Sequence, residues 1–143
     1  MTRKEARDAV FKMLFGYEMQ KEPADYFLEL FFDGNLAAEE HRDYIEQTLR
    51  MTIAQSGEID ALIVKYAKGW QISRISKVSL AALRLAICEM KYREDIPRKV
   101  AVNEAVELVK LYEGSKAVPF VNGILASVMR ELPLEASAEA GGE

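Results

Sequence analysis

An all-α fold, a compact bundle of about seven helices, is what this sequence predicts, on three observations. Apolar residues recur at helical spacing through most of the chain, as at Val102, Ala105, Val106 and Val109. No run alternates in the manner of a strand, and Asn122-Gly123 sits inside an apolar segment of helical period instead of between strands. Gly, Pro and Ser punctuate the chain at intervals suited to helix connections.

The first helix is expected over Arg3 to Gln20, with Ala6, Val10, Met13 and Tyr17 facing inward. Pro23 ends the connection to a second helix, Ala24 to Phe32, which Asp33-Gly34-Asn35 closes as a turn. The third is expected over Ala37 to Gln55, with Tyr44, Ile45, Thr48 and Ile53 inside. Ser56-Gly57 breaks it, and Ser56 is placed to cap a fourth helix running to about Lys68. Trp70, in the connector opened by Gly69-Trp70, is expected to plug a gap between helices.

The fifth helix, Lys77 to Tyr92, has a wide apolar face in Leu80, Leu83, Ala86, Ile87 and Met90, as a central helix requires. Pro97 stops it from continuing, and a sixth helix follows over Val100 to Tyr112. After the break at Gly114-Ser115, the seventh runs from Val118 to Glu131, tolerating Pro119 in its first turn. Residues 133–143 hold too little apolar surface to order themselves and read as a disordered acidic tail, leaving one domain over 1–132.

Length and composition are those of a soluble globular domain, with half the residues hydrophobic and 29% charged. One cysteine, Cys88, excludes an intrachain disulfide and points to a reducing cytoplasm. No signal peptide or membrane-length apolar run is present, so no membrane association is expected. The net charge of −4 hides a pattern: residues 18–60 carry eleven acids against three bases, and residues 61–93 carry seven bases against one acid. Local basic surface can attract phosphate on an acidic chain, although the two signs also simply neutralise one another in one fold.

Catalytic constellations are absent from the sequence. His41 is the only histidine and lies in a polar stretch, expected at the surface; metal chemistry needs several such ligands at defined spacing. Cys88 lies on the apolar face of the fifth helix and reads as a buried structural thiol. There is no P-loop or dinucleotide fingerprint. Glu104 and Glu107 are expected to point outward together. No enzyme, cofactor or metal is expected.

Binding residues are easier to find. Arg3 and Arg7 share a helix face with Lys4 beside them, and the same row continues to Phe11 and Phe15, one of which can stay at the edge. Cations followed by an aromatic ring suit single-stranded RNA, the former meeting phosphate and the latter a base. Lys116 and Phe120 lie in or just after a Gly- and Pro-punctuated loop at the start of the last helix. The plainer alternative makes the rings core residues and the cations solvated side chains.

Two segments go beyond what packing demands. Lys99-Val-Ala-Val-Asn-Glu-Ala-Val-Glu-Leu-Val-Lys110 contains an Asn-Glu pair that no helix interface requires, and Phe120-Val-Asn-Gly123 opens the next helix. With Arg7-Asp8-Ala9-Val10, Leu14, Glu18, Trp70, Arg74, Ile75, Leu83-Arg84-Leu85-Ala86, Glu89-Met90 and Pro97-Arg98, the pattern resembles the NusB family of bacterial transcription antitermination factors up to about Leu132. The resemblance implies a bundle of two small helical halves and a non-catalytic adaptor. It implies binding of the boxA element of ribosomal RNA leader transcripts together with the ribosomal protein that acts as Nus factor E, within an RNA polymerase antitermination complex. The positions it implies for RNA contact are Arg3, Arg7, Phe15, Lys116 and Phe120, and Lys4, beside the two arginines, is a further candidate from the basic start of the helix. Phe15 stands where the family often has tyrosine, so stacking survives and a hydroxyl is lost. Both a monomer and a homodimer stay open, as does a purely protein-binding adaptor. A related helical domain is fused to some RNA cytosine methyltransferases, but the residues after Pro133 are too few to form their α/β fold.

Overall fold

The computed structural model describes residues 1–134, and among them seven α-helices form the fold. These are α1 (Arg3–Gln20), α2 (Ala24–Phe32), α3 (Arg42–Ala54), α4 (Ser56–Tyr66), α5 (Lys77–Tyr92), α6 (Arg98–Tyr112) and α7 (Val118–Glu131). The expected acidic tail lies, but for its first two residues, outside the described part.

Helix α5 is the shared element of the two halves. It packs against α1 and α3 on one side and against α4, α6 and α7 on the other. Its expected apolar face, Leu80, Leu83, Ala86, Ile87 and Met90, is buried, together with Leu85 and Cys88. Apolar residues nearly all round a helix are what a central position demands. Ser76 starts it by accepting a hydrogen bond from the Ser79 N–H at 3.1 Å.

Helix α1 begins in a capping box. The Glu5 N–H donates to Thr2 Oγ1 at 3.0 Å, and the Thr2 N–H donates to the Glu5 carboxylate at 2.8 Å. These bonds hold the Glu5 carboxyl below its ordinary pKa. Ala6, Val10 and Met13 are buried as expected, while Tyr17 is only half-buried. Gly16 lets α2 approach closely: a Cβ at that position would stand 2.8 Å from the Phe27 ring.

Three expectations about the chain before α4 are corrected. The third segment does not run unbroken from Ala37; a 3-10 turn over Leu36–His41 precedes α3. Of that turn's residues only Ala38 is buried, so a short tight turn satisfies the local sequence without a full helix. Ser56 is not a cap either. The Gln55 N–H still bonds to Met51 while its carbonyl already accepts from Ile59, so one residue closes α3 and opens α4. His41 is half-buried, with Nε2 2.9 Å from the Met1 carbonyl oxygen, instead of standing free at the surface.

Arg84 ties α1, α4 and α5 together. Its guanidinium donates to Glu18 Oε1 at 2.6 Å and to both Asp60 oxygens at 2.8 Å. The hydrogen bond from Arg84 depresses the Glu18 pKa below its ordinary 4.5, and burial opposes it only partly. A carboxylate with a lowered folded pKa adds stability above its unfolded value and loses it as pH falls through the folded one. Glu18→Gln is therefore expected to cost about 1 kcal/mol at neutral pH, discounted for the water that still reaches the pair. The gap to the parent protein should close in denaturant melts as pH drops below 4.5. A gap independent of pH would remove the charge of Glu18 as its cause.

Candidate nucleic-acid interface

The six residues expected to contact RNA fall into two groups at the ends of α1. Arg3 and Phe15 are twelve positions apart on α1, which is about 18 Å along a helix.

At the first end, Arg3 is exposed and stacks its guanidinium 4.2 Å above the Tyr44 ring. Lys4 is exposed too, with Nζ 3.1 Å from Glu104 Oε2. Arg7 is a correction. It is 4% exposed. Its Nε donates to the two Glu89 oxygens at 2.9 and 3.2 Å, and its Nη2 adds a third bond at 3.2 Å. The Tyr44 hydroxyl also donates to Glu89, at 2.8 Å. Burial works against the Arg7 charge, but the hydrogen bonds and charge of Glu89 outweigh it and raise the pKa. Glu89 is fully buried on α5, and a carboxylate there needs a buried cation. Arg7 therefore fills an internal position, its guanidinium turned to Glu89 and Glu104.

Glu104 shares in this arrangement. It was expected to face outward with Glu107, yet it turns back to α1, between Lys4 and the Arg7 Nη1 at 3.5 Å. Glu107 remains exposed. Glu89 was a visible signal that Arg7 has an internal partner, since it is the one acid among residues 61–93 and sits in an apolar helix.

At the second end the two phenylalanines of α1 divide their roles. Phe11 is buried and stacked on Tyr112 at 5.3 Å between centroids. Phe15 is half-buried at the margin of the core. The contacts of Phe11 with Tyr112 and of Glu18 with Lys77 and Arg84 bracket it, so Phe15 lies where α5 starts and α6 ends. Lys116 is exposed on a 3-10 turn, Ser115–Ala117, immediately before α7. Phe120 in the first turn of α7 is half-buried, its ring centroid 5.9 Å from that of Trp70.

Trp70 corrects a further expectation. It does not plug a gap but stands 52% exposed. Lys68 and Gly69 both adopt left-handed backbone, at φ 46° and 90°, and the turn they make carries the indole outward. Beside it lie Arg74 and Glu113, the latter accepting from the Ser76 and Ser79 hydroxyls. Trp70, Arg74 and Glu113 were not recognised as site residues, though Gly69-Trp70 in a connector was the available signal.

Cys88 is buried, and burial pushes its thiol up to about 11, so it stays protonated at neutral pH. Among the described residues no cluster of His, Cys, Asp or Glu is arranged to hold a metal ion. Among the same residues no helix is long and apolar enough to cross a membrane.

Residues 4–130 match the NusB family model. The transcription antitermination protein NusB of Acetivibrio thermocellus is 42% identical over 130 residues, covering 91% of this chain and 90% of that protein. Its counterpart from Agathobacter rectalis is 43% identical over 128 residues, covering 88% and 98%. Among solved structures, T. maritima NusB superposes with a TM-score of 0.87 at 33% identity, covering 97% of this chain and 98% of that one. A chain from a crystal structure of antitermination factors NusB and NusE in complex with double-stranded RNA superposes with a TM-score of 0.81 at 28% identity, covering 91% and 97%. With the helix order, the buried central α5 and these likenesses in agreement, the chain belongs to the NusB family of transcription antitermination proteins, which are not enzymes.

Proposed function

We propose that this protein binds the boxA element of ribosomal RNA leader transcripts as single-stranded RNA, together with the ribosomal protein that acts as Nus factor E. The pair then joins an RNA polymerase antitermination complex in the cytoplasm. The observation that carries the RNA and partner in this reading is the structural likeness, over 91% of the chain, to a member of a complex of NusB, NusE and double-stranded RNA; the single-stranded form rests on the pairing of cations with open rings. The local chemistry supports it. Arg3, Lys4 and Lys116 are exposed cations, and Phe15 and Phe120 are half-exposed rings at the edge of a rigid bundle. Cations meet phosphates and rings receive bases, whereas Arg7 serves by holding α1 in place.

Binding of a boxA-containing RNA, measured against a scrambled RNA at several salt concentrations with and without the ribosomal protein, tests the proposal. Sequence-preferring binding that weakens with salt and strengthens with the partner is the expected result. Arg3→Ala and Lys116→Ala should each reduce the slope of log affinity against log salt by about 0.7, the single-strand value per phosphate contact. Partner binding with no preference between the two RNAs would leave a protein-only adaptor.

A further inference from the structure

The cleft beside Trp70 is built from more than a stacking ring. It holds about 300 Å³ and is lined by Trp70, Arg74, Ser79, Glu113 and Phe120 among others. The inclined contact with Phe120 steadies the indole yet leaves half its surface open. Arg74 is exposed and has no carboxylate partner among the described residues. Both serine hydroxyls bond to the same Glu113 oxygen, Oε1, and Oε2 has no donor from the described residues.

A flat apolar ring, an unpaired cation and a carboxylate oxygen with a free lone pair, all on one small cleft, match the parts of a single unstacked nucleotide. The base stacks on the ring and the cation meets its phosphate. The carboxylate accepts only from a base edge that offers N–H groups, of which the exocyclic amino group of cytosine is the standard partner. Uracil presents two carbonyl oxygens flanking its single imino N–H, and these repel a carboxylate.

We propose that this cleft is a single-base subsite that prefers a base with an exocyclic amino group over uracil. Trp70 is its stacking platform and Glu113 its specificity-determining residue. The inference rests on the RNA-binding reading above and adds a base preference to it.

Trp70 is the only tryptophan of the chain, so its emission reports on this cleft alone. End-labelled oligo-C, oligo-A and oligo-U strands are titrated against the protein, following label anisotropy and tryptophan emission together. Oligo-C and oligo-A should bind several-fold tighter than oligo-U and quench Trp70 more strongly. Trp70→Ala should weaken oligo-C binding roughly 5- to 150-fold, the range for loss of one stacked base, and Trp70→Phe should restore most of it. Glu113→Gln keeps an oxygen for Ser76 and Ser79, so its thermal unfolding should match the parent while the preference for C over U disappears. RNA binding by anisotropy with unchanged Trp70 emission, or a Glu113→Gln protein that keeps the C-over-U ratio, overturns the subsite and leaves RNA binding standing. No anisotropy change with any strand or with boxA RNA removes the RNA-binding reading itself.

Discussion

Arg7→Ala is expected to destabilise the protein by about 3–5 kcal/mol, the range for removing one partner of a buried ion pair. For a chain of this size that lowers the melting temperature by roughly 10–17 °C. The cause is Glu89, which is fully buried and would keep only the Tyr44 hydroxyl as a donor at 2.8 Å. Glu89→Gln should cost less, because an amide oxygen still accepts from Arg7 and the Glu104 carboxylate stands 3.5 Å from its Nη1. The pair Arg7→Met with Glu89→Gln should recover much of the loss, since neither charge is then left alone and Tyr44 still has an oxygen to donate to. Thermal melts of the four proteins decide the matter. A folded Arg7→Ala protein with unchanged melting temperature and reduced RNA affinity would return Arg7 to the surface.

Phe120→Ala should produce the largest loss of RNA affinity of any single truncation in the boxA assay. Loss of a stacked base costs about 1–3 kcal/mol, and Phe120 also steadies Trp70 through a ring contact at 5.9 Å. Rings in contact act as a unit, so Trp70→Ala and the double variant should lose less than the sum of the single effects. Phe120 is already half-exposed, and its truncation should cost stability less than that of a core phenylalanine. Phe120→Tyr should keep most of the affinity. Should Phe120→Ala melt early yet bind RNA with parental affinity, the ring is a packing residue only.

Much of the fold was legible because helices are local. The ends of α1, α2, α5 and α7 follow from residues within a turn of each boundary, such as the Pro119 that a first turn tolerates and the Asp33-Gly34 that closes α2. The apolar face of α5 needed only its own period. Boundaries were missed where two weak signals competed, as at Gln55-Ser56, where both sides of the junction bond through a single residue.

The site was legible in part. Arg3, Lys4, Lys116 and Phe120 are at the surface or its margin, as their residue types and neighbours suggested. For Phe11 and Phe15, one helical row carried both rings, and only the position of Tyr112 at the far end of α6 decided which one was covered. Trp70 was misplaced because a large apolar ring in a connector is ordinarily buried, and two successive left-handed residues turn it out.

By itself, then, the sequence determined the helical class, most element boundaries, the apolar stripe of each helix and the family pattern, all of which depend on residues close together in the chain. The tertiary structure alone decided the fate of the charges and rings beside those stripes. Arg7 meets a carboxylate 82 positions away, and Trp70 meets a ring 50 positions away. A helical period marks which residues can face a neighbour, but the dielectric and the partner each one finds there are set by the element that packs against it.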